Sequence, residues 1–383
     1  MNGEKVRVAI VGVGGMGSGH TKACSELDEF EVVATVDIRS DRAREVAEQN
    51  DVPNWFANHE ALLEADIADA VIIATPHYFH PTIAIDAFEC GLHVLSEKPI
   101  GVRIGMAEKM AEAARASGKV FAVMFQMRSQ AAIKKAKELV EAGEIGDVKR
   151  TLLVSPEFRS QAYYDSGTWR ATWGGEGGGV LLNQAPHIMD VFTMLGGMPK
   201  TVRGRCETLM HDIEVEDHAE AMLEYEAGGS GYFYVSTCEM GQRTVEIVGD
   251  KGKLRLEGSD LKFWRFEPPV TEFNRTNTEM WGKPTVTPVE LEIEPCESGH
   301  RVILRNFAHA ILDGEPLLSP GEVGLKSLEL ADAIMLSSHK GEPVDIPIDR
   351  QEFHELIDYL RSTSSFQDKW GDTHAETDPQ HKT

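Results

Sequence analysis

The sequence predicts an α/β protein in which a Rossmann-type, doubly wound parallel sheet comes first and an α+β domain follows. Two observations support this prediction. Strand-like and helix-like segments alternate along residues 1–126, which is typical of a parallel sheet with helices on both faces. Strand-like segments then recur between residues 148 and 265, which indicates a second, strand-rich domain over residues 127–362. Residues 363–383 form a polar C-terminal tail.

Length and charge limit the class of protein. A chain of 383 residues with 42% hydrophobic residues is long enough for two domains with sizeable cores. Its formal net charge is −24. Nucleic-acid and anionic-membrane partners require clustered lysine and arginine, so this charge argues against both. We attribute the charge to solubility.

The sequence indicates a cytoplasmic protein. Its first residues, MNGEKVRVAIVGVGG, lead directly into a strand-like segment and contain no secretory signal. No apolar run is long enough to span a bilayer. The cysteines are odd in number and widely scattered, so we expect reduced packing residues rather than disulfides. They are Cys24, Cys90, Cys206, Cys238 and Cys296.

The most informative motif follows the first predicted strand. Residues 12–17 have the sequence GVGGMG and fit the dinucleotide-binding pattern G-x-G-x-x-G, with a helical segment after them. Gly12 permits the tight turn, Gly14 lets a pyrophosphate approach the backbone, and Gly17 allows close helix–strand packing. The helix N-terminus offers N–H groups to the phosphates. We therefore assign Gly12, Gly14, Gly15, Met16 and Gly17 to cofactor binding.

An acidic residue ends the second predicted strand, residues 31–36. Asp37 lies 25 residues beyond Gly12, and the dinucleotide fingerprint expects an acid about 20 residues on. A carboxylate there accepts hydrogen bonds from the adenosine ribose hydroxyls and repels a 2′-phosphate, which favours NAD over NADP. Arg39, which we also assign to the cofactor site, and Arg42 could accommodate that phosphate. NADP therefore stays the less favoured alternative.

The next strands end on polar residues that we expect to meet at one edge of the sheet. The segments ADAVIIATP, HVLSEKP and KVFAVMFQMR are predicted strands, with helices at residues 81–91 and 107–117. Parallel strands share one carboxyl edge, and ligands bind beyond it. The polar residues past these ends are Thr75, Pro76, His77, His80, Glu97, Lys98, Gln126 and Arg128. Of these we assign Thr75, Pro76, His80, Glu97 and Arg128 to the cofactor.

No metal site is predicted. His77 and His80, together with Cys90 and His93, resemble a tetrahedral zinc set in composition. The first pair follows the C-terminal end of one strand, whereas the second pair precedes the N-terminal end of the next. A five-residue strand at ~3.3 Å per residue separates the pairs by ~17 Å, which is beyond the reach of one ion.

Six stretches, in the expected order, make the chain similar to the glucose–fructose oxidoreductase/inositol dehydrogenase (Gfo/Idh/MocA) family. They are GVGGMG, ATPHYFH, EKP at residues 97–99, RSQAAIKKAKELVEAGEIGDVKR, WRATWGGEGGGVLLNQAPHIMD and SPGEVGLKSLELADAIMLSSHKGEPVDIP. The resemblance covers nearly the whole chain. It implies that the second domain contains a large, open, mostly antiparallel sheet. It also implies a homodimer or homotetramer built on the uncovered face of that sheet.

The resemblance further implies a catalytic set. In the family, the lysine of the EKP motif, the histidine after the GGG run and an acid one turn before that histidine act together. Carried over by position, these are Lys98, His187 and position 183. An imidazole titrates near neutral pH and suits proton transfer. The Lys98 ammonium can stabilise a developing alkoxide.

Position 183 departs from the family pattern, where aspartate is more usual. Asn183 can orient a hydroxyl or the imidazole but cannot take a proton. We therefore expect His187 to perform the acid–base step, Lys98 to assist electrostatically and Asn183 to position the substrate. Asparagine also occurs here in the family, so the change indicates a subfamily. The spacing of Asn183, His187 and Asp190 predicts one shared helical face.

The segment before the GGG run is predicted to form a lid and a substrate surface. Trp169 and Arg170 resemble the pair that packs near the nicotinamide end and are assigned to the cofactor. For Trp173, sugar stacking and plain packing stay open. The stretch FRSQAYYDSGTW supplies polar and aromatic groups suited to carbohydrate: Arg159, Gln161, Tyr163, Tyr164 and Asp165. The predicted substrate residues are Lys98, Tyr163, Asn183 and His187.

The leading prediction is an NAD-dependent oxidoreductase that acts on a secondary hydroxyl of a sugar, glycoside or cyclitol. Oxidation of a ring hydroxyl acidifies the neighbouring C–H, so redox-neutral cleavage of a glycoside is an alternative that uses the same residues. A non-catalytic nucleotide-binding regulator is a third alternative. The presence of both Lys98 and His187 argues against it.

Overall fold

The computed structural model describes residues 5–366, and the chain begins with a six-stranded parallel sheet. The strands are β1 (Val6–Val11), β2 (Phe30–Val36), β3 (Asn54–Phe56), β4 (Ala70–Ile73), β5 (His93–Ser96) and β6 (Phe121–Val123). Their order is β3-β2-β1-β4-β5-β6, and all neighbours are parallel. The order reverses between β1 and β4, where doubly wound sheets bind their ligands.

Helices connect these strands and cover both faces of the sheet. They are α1 (Gly15–Ser25), α2 (Ser40–Gln49), α3 (His59–Ala65), α4 (His80–Glu89) and α5 (Ile104–Ser117). Local signals set their ends. Asn58 caps α3, because its side chain accepts a hydrogen bond from the Ala61 N–H, and Gly118 ends α5 in the left-handed conformation. Strands buried on both faces are continuously apolar, as AVII of β4 is.

The second domain contains a nine-stranded sheet. Its strands are β7 (Val148–Pro156), β8 (Thr201–Glu207), β9 (His218–Glu224), β10 (Ser230–Ser236), β11 (Thr244–Gly249), β12 (Gly252–Glu257), β13 (Asp260–Glu267), β14 (Thr285–Val289) and β15 (Val344–Asp345). The order is β14-β13-β12-β11-β7-β10-β9-β8-β15. Its neighbours are antiparallel except β7 and β10, which are parallel. The expected large, mostly antiparallel sheet is therefore confirmed.

The remaining helices leave one face of this sheet open. They are α6 (Ala131–Glu141), α7 (Gln161–Tyr164), α8 (Pro186–Gly196), α9 (Val270–Thr276), α10 (His300–Leu312), α11 (Gly324–Lys340) and α12 (Arg350–Ser362). Helices α8 and α11 pack against the sheet on one side. The other side carries Met222, which is 56% exposed, and the stacked rings of Tyr232 and Tyr234. Within residues 5–366, no helix has the length and apolarity needed to cross a membrane.

Residues 300–320 return to the N-terminal sheet. Leu304 and Phe307 of α10 are buried in one cluster with Val8 of β1. The Val123 N–H at the end of β6 donates to Ser319 O at 3.1 Å. The range 127–362 therefore divides between two packing units, since α10 covers a face of the first sheet and not the second.

The opposite face of the first sheet continues into the second domain. Ile73 of β4, Phe192 of α8 and Phe233 of β10 belong to the same buried cluster. The two sheets are therefore joined by one hydrophobic core, which holds the edge of the first sheet against the second domain.

Three local predictions differ from the structure. The strand expected over residues 119–128 covers only Phe121–Val123 and is followed by a 3-10 turn at Gln126–Ser129. Among the recurring strand-like segments of the second domain, the sequence predicts a strand at residues 201–210. Strand β8 instead ends at Glu207, because the N–H groups of residues 209–211 turn to the Asp217 carboxylate. Of the tail, residues 367–383 lie outside the described range, and residues 364–366 are bound to the second domain.

Candidate active site

A crevice of about 1620 Å³ lies at the carboxyl edge of the first sheet, and residues of both domains line it. The site residues that the sequence predicts all line this crevice except Gly17 and Arg128. Those from the first domain are Gly12, Gly14, Gly15, Met16, Asp37, Arg39, Thr75, Pro76, His80, Glu97 and Lys98. Those from the second are Tyr163, Trp169, Arg170, Asn183 and His187.

The glycine turn has the close contacts that its sequence requires. Gly12 has φ +85°, and a Cβ atom there would lie 2.8 Å from the Ala74 backbone. A Cβ atom on Gly17 would lie 1.8 Å from Gly12 O, so Gly17 packs beneath the turn and not in the crevice. Gly14 faces open space, with no atom within 4 Å of such a Cβ. Only glycines allow this turn and leave its outer surface accessible.

Asp37 is linked to the glycine turn through its carboxylate. Its Oδ2 accepts a hydrogen bond from Val13 N at 3.1 Å, and its Oδ1 accepts one from Arg39 N at 3.0 Å. Arg39 Nε lies 3.8 Å from the same Oδ1. Arg42, by contrast, is turned away to Val13 O, Ser18 and Glu45. A carboxylate has about four acceptor positions, so Asp37 can still accept from a ribose.

The described residues fit a bound dinucleotide. Ile38 is 64% exposed and lines the crevice beside Asp37, where it offers an apolar surface to an adenine ring. Gly14 leaves room for a pyrophosphate. Among residues 5–366, the buried polar atoms of crevice residues that have no hydrogen-bond partner include Thr75 Oγ1, Gln126 Oε1 and Gln184 Oε1. Buried polar groups are normally paired, so these atoms are suited to polar groups of a ligand.

Lys98 follows β5 and directs its ammonium into the crevice. Its Nζ donates to Asn183 O at 2.7 Å. Burial lowers the pKa of Lys98, while the nearby carboxylates of Glu97, Glu157 and Glu176 act in the opposite direction. An ammonium has three hydrogens, so two remain for a substrate oxygen.

Glu97 joins the Lys98 loop to α1. Its Oε1 pairs with His20 Nε2 at 2.7 Å, and its Oε2 accepts a hydrogen bond from Lys98 N at 3.1 Å. Burial alone would raise the pKa of Glu97, but the hydrogen bond with His20 and the positive charges of neighbouring groups, Lys98 among them, lower it. Glu97 is therefore an ionised group held by the protein, and it fixes the backbone from which Lys98 extends.

His80 also links two loops. Its Nδ1 lies 2.7 Å from Pro99 O and its Nε2 lies 2.6 Å from Thr75 O. Burial lowers the pKa of His80, whereas the two carbonyl oxygens raise it. The ring thus joins the end of β4 to the loop after β5. Its nitrogens face backbone oxygens, so its part in the site is to hold these loops.

The helix that bears His187 begins later than expected. Helix α8 starts at Pro186, and Asn183 lies in the preceding turns, where its N–H donates to Gly179 O at 2.9 Å. Proline is common in the first turn of a helix, since it lacks the N–H that would be unpaired there. The half-buried His187 ring meets the edge of Phe125 with centroids 5.8 Å apart. Asn183 and His187 both line the crevice, but they do not belong to one helix.

Arg128, which the sequence predicts to bind the cofactor, does not line the crevice. Its Nε and a terminal nitrogen each donate to one oxygen of Asp190 at 2.7 Å. Asp190 is buried, and this two-point pair joins the 3-10 turn after β6 to α8. Asp190 follows His187 by three residues in α8 but does not line the crevice.

The Tyr163 hydroxyl is fully used by the protein. It accepts hydrogen bonds from Arg170 at 2.6 Å and from Gln184 Nε2 at 3.0 Å, and it donates to Asn183 Oδ1 at 3.3 Å. A phenol has one hydrogen and two acceptor positions. Tyr163, a predicted substrate residue, lines the crevice, and its hydroxyl contacts Asn183.

The lid segment, residues 167–175, bears Trp169 and Arg170. The Trp169 ring lies 6.1 Å from His77 at the crevice wall, and the Arg170 guanidinium lies 5.0 Å from the Trp169 ring. Trp173 does not line the crevice and packs against the core, which decides its role in favour of packing. Of the polar stretch before the lid, Arg159 and Tyr163 line the crevice, whereas Gln161, Tyr164 and Asp165 do not.

Glu214 holds the lid segment from outside. Its Oε2 accepts hydrogen bonds from Trp173 N at 3.0 Å and from Ser364 Oγ at 2.6 Å, and its Oε1 accepts one from Ser365 N at 2.6 Å. Gly174 N donates in turn to Ser364 Oγ at 3.0 Å. The residues after α12 therefore fasten the lid to the second domain.

Several crevice residues are not predicted from the sequence. Glu157 pairs with two arginines, Arg159 at 2.6 Å and Arg243 at 2.9 Å, and all three line the crevice. Glu176 is buried behind Asn183. A lone acid inside the run GGEGGG is the only local signal for Glu176. Arg243 lies 86 residues from its partner Glu157 in the sequence, so no local pattern predicts their contact.

One cluster in the second domain has the composition of a metal site. His211, Asp217 and Cys238 lie close together. The Asp217 carboxylate already accepts the N–H groups of residues 209–211 and faces His211 Nδ1 at 2.9 Å. Cys238 Sγ donates to Asp217 O. The three side chains therefore lie together because their hydrogen bonds support a tight turn.

Two family models match the chain. The model described as "Oxidoreductase family, NAD-binding Rossmann fold" matches residues 6–125. The model described as "GFO/IDH/MocA C-terminal domain" matches residues 133–255. Together they cover more than half of the chain, including the whole first sheet and strands β7 to β11 of the second.

Similar proteins are dehydrogenases. The chain is 27% identical to trans-1,2-dihydrobenzene-1,2-diol dehydrogenase from Bos taurus, over 71% of this chain and 84% of the relative. It is 23% identical to myo-inositol 2-dehydrogenase from Thermotoga maritima, over 89% of this chain and 98% of the relative. The solved WlbA dehydrogenase from Bordetella pertussis, in complex with NADH and UDP-GlcNAcA, matches with a TM-score of 0.75 at 27% identity. That match covers 90% of this chain and 100% of WlbA.

Proposed function

Because the chain belongs to the Gfo/Idh/MocA family of NAD-binding oxidoreductases, we propose that it converts a secondary ring hydroxyl of a sugar, glycoside or cyclitol to a ketone. The observation that supports this reaction is the convergence of Lys98, Asn183 and His187 on the crevice that the glycine turn also lines. The names of the two curated relatives, a ring-diol and a cyclitol dehydrogenase, support ring alcohols as the substrate class.

Each residue of this set has a separate part in the proposed reaction. Bound NAD would accept the hydride from the carbon. His187 takes the hydroxyl proton, since imidazole is a competent base near neutral pH. Lys98 directs its remaining N–H groups at the oxygen and stabilises the negative charge that develops there. Asn183 orients the hydroxyl between them.

We propose NAD as the coenzyme, with NADP less favoured. Asp37 supports this choice because its ionised carboxylate can accept the ribose hydroxyls and repels a 2′-phosphate. Arg42, the second candidate for a phosphate, is occupied by Val13 O, Ser18 and Glu45. Arg39 remains beside Asp37 and is the group that could admit NADP.

The experiment is a panel of sugars, cyclitols and glycosides incubated with the purified protein and NAD. NADH formation is followed by absorbance and the organic products by mass spectrometry. We expect a keto product in step with NADH. Cleavage of a glycoside with no net NADH would replace the proposal with redox-neutral cleavage. Turnover of no compound, with NADH still bound, would favour the regulator.

The matched variants are Lys98→Met and Lys109→Met. Lys98→Met removes the ammonium from the crevice, and we expect kcat to fall by roughly 10²- to 10³-fold. Lys109 is exposed on α5, so its replacement removes the same charge away from the site. Equal kcat in the two variants would contradict the role of Lys98.

We also propose that the protein is a homodimer or homotetramer built on the open face of the second sheet. Met222 on that face is exposed, and Tyr232 and Tyr234 form an aromatic surface beside it. Exposed apolar patches of this kind often mark protein interfaces. Cross-linking or sedimentation of the protein would measure the subunit number.

A reducing compartment such as the cytoplasm is our proposal for its location. The five cysteines are free thiols in the structure. Cys24 is fully buried, and burial raises its thiol pKa, which makes it a packing group without ready access to oxidants. Fractionation of the native host would test the location.

A further inference from the structure

Asn183 is held by three separate groups at the crevice. Its backbone oxygen accepts a hydrogen bond from Lys98 Nζ at 2.7 Å. Its Oδ1 accepts one from the Tyr163 hydroxyl at 3.3 Å, and its Nδ2 donates to Glu176 Oε1. Both ends of the amide therefore have a defined partner.

These hydrogen-bond partners determine the positions of the oxygen and the nitrogen of the Asn183 amide. The Tyr163 hydroxyl accepts hydrogen bonds from Arg170 and from Gln184, which fill its two acceptor positions. Toward Asn183 it can therefore act only as a donor, and its hydrogen is donated to Asn183 Oδ1. The other end of the amide faces Glu176, a carboxylate and thus an acceptor. The nitrogen of the Asn183 amide must point to Glu176 and the oxygen to Tyr163.

This orientation determines what Asn183 offers to a ligand. An amide nitrogen has two hydrogens, and Glu176 uses one of them. No second partner of Nδ2 occurs among residues 5–366, and Asn183 is half-buried at the crevice. Asn183 can therefore present an N–H to the crevice beside the Lys98 ammonium. An aspartate at this position would instead present only an acceptor when ionised.

Glu176 is itself held firmly. It is 1% exposed, and its Oε2 accepts a hydrogen bond from Ala171 N at 2.6 Å. Its own backbone oxygen faces His77 Nδ1 at 3.1 Å. The next residue, Gly177, has φ +85°, and a Cβ atom there would lie 2.5 Å from Val102. The backbone at Glu176 therefore has little freedom to move.

We propose that Glu176 is a positioning residue that makes Asn183 a hydrogen-bond donor to the reacting oxygen of the substrate. This inference rests on the proposed function for the identity of that oxygen. The oxygen gives its proton to His187 and receives N–H groups from Lys98 and Asn183. Two donors then stabilise the alkoxide, where the usual family pattern has an acid.

The test exchanges the two side chains. Asn183→Asp places a second carboxylate against Glu176, and two carboxylates at this distance cannot both ionise without cost. We expect its unfolding temperature to fall by roughly 2–5 °C and kcat/KM to fall by roughly 10²-fold. The double variant Asn183→Asp with Glu176→Gln again pairs one amide with one carboxylate. Its unfolding temperature should return to within about 1 °C of the parent.

The kinetics of the double variant separate positioning from structural support. Its carboxylate at position 183 accepts from Tyr163 and from the new amide and has no N–H to give. We expect kcat to stay at least ~10-fold below that of the parent although stability is restored. Parental kcat in the double variant would overturn the donor role.

A control uses an acid that is remote from the glycine run. Glu226 is an exposed glutamate of the same domain. Combining Asn183→Asp with Glu226→Gln should not restore the unfolding temperature. Equal rescue by both double variants, or an Asn183→Asp protein as stable as the parent, would overturn the pairing. The unfolding measurements need no substrate, so absence of turnover in the parent would contradict only the proposed function.

Discussion

Asp37 is the residue on which coenzyme choice depends. We expect Asp37→Ser to weaken NADH binding by roughly 10-fold, because about two hydrogen bonds to the ribose are lost, and to reduce the preference over NADPH. Fluorescence titration with both coenzymes measures this ratio. Asp41→Ser removes an exposed acid from the first turn of α2 and should leave it unchanged. An unaltered NADH to NADPH ratio in Asp37→Ser would contradict the assignment.

Glu216 predicts a pH dependence of stability. Burial raises its pKa from the ordinary 4.5 to about 7, with Glu176 adding to the shift and the N–H groups of Gly179 and Leu181 opposing it. Between these values the folded state binds a proton that the unfolded state has lost. The folded state is therefore favoured by this group at low pH, and that advantage disappears as the pH rises through about 7.

The variant Glu216→Gln tests this linkage, since an amide does not titrate. Relative to the parent, its free energy of unfolding should improve as the pH rises from 5 to 8, by up to about 3 kcal/mol. Denaturant unfolding at both pH values measures the difference. Glu226→Gln, at an exposed glutamate, is the control. A pH-independent difference between parent and Glu216→Gln would show that Glu216 does not titrate in this range.

At the residue scale, the sequence predicts the positions of side chains better than their hydrogen-bond partners. Asp37, Lys98 and His187 lie where motifs with fixed spacing put them, because each follows a strand or a glycine run. The partners of Asn183 come from a separate helical turn and from a buried acid, and no pattern in the sequence relates them. Arg128 shows the same limit, since its partner Asp190 lies 62 residues away.

Among the elements, the lid segment is the one whose attachment can be tested. Removing the Glu214 carboxylate breaks its contacts with Trp173, Ser364 and Ser365. We expect Glu214→Ala to raise KM several-fold with a smaller effect on kcat. The reason is that Trp169 and Arg170 are no longer held in position, whereas the position of Lys98 is unchanged. Steady-state kinetics with the substrate found in the panel measure both constants.

Two comparisons make the lid test specific. Replacing Ser364 and Ser365 by alanine removes the two hydroxyl contacts of Glu214 from the other side, so its effect should not add to that of Glu214→Ala. Glu226→Ala removes an exposed acid of the same domain and should change neither constant. Additive effects of the two lid variants would indicate that Glu214 acts elsewhere.

Element boundaries follow local signals where such signals exist. Pro186 marks the start of α8, and a proline in a first helical turn is visible in the sequence. The apolar face of α10 can also be recognised in the sequence, but no local sequence pattern indicates which of the two sheets it covers. Its burial against β1 depends on the path of about 180 residues between β6 and α10, which sequence periodicity does not describe.

For the whole molecule, the alternation of strands and helices was enough to predict a doubly wound sheet, because each βα unit repeats a local pattern. The nine-stranded sheet depends on pairings between distant strands. The parallel contact of β7 with β10 is one of these, and it joins segments separated by more than 70 residues. Resemblance to the family predicted this architecture where periodicity could not.

The return of α10 to the first sheet has a consequence for synthesis on the ribosome. Leu304 and Phe307 emerge long after β1 to β6, so until then one apolar face of the N-terminal sheet lacks its cover. A nascent chain that ends before residue 300 would therefore present that face to chaperones or to other nascent chains. The N-terminal third, cut at residue 126, lacks the cover of α10 as well and should for the same reason aggregate.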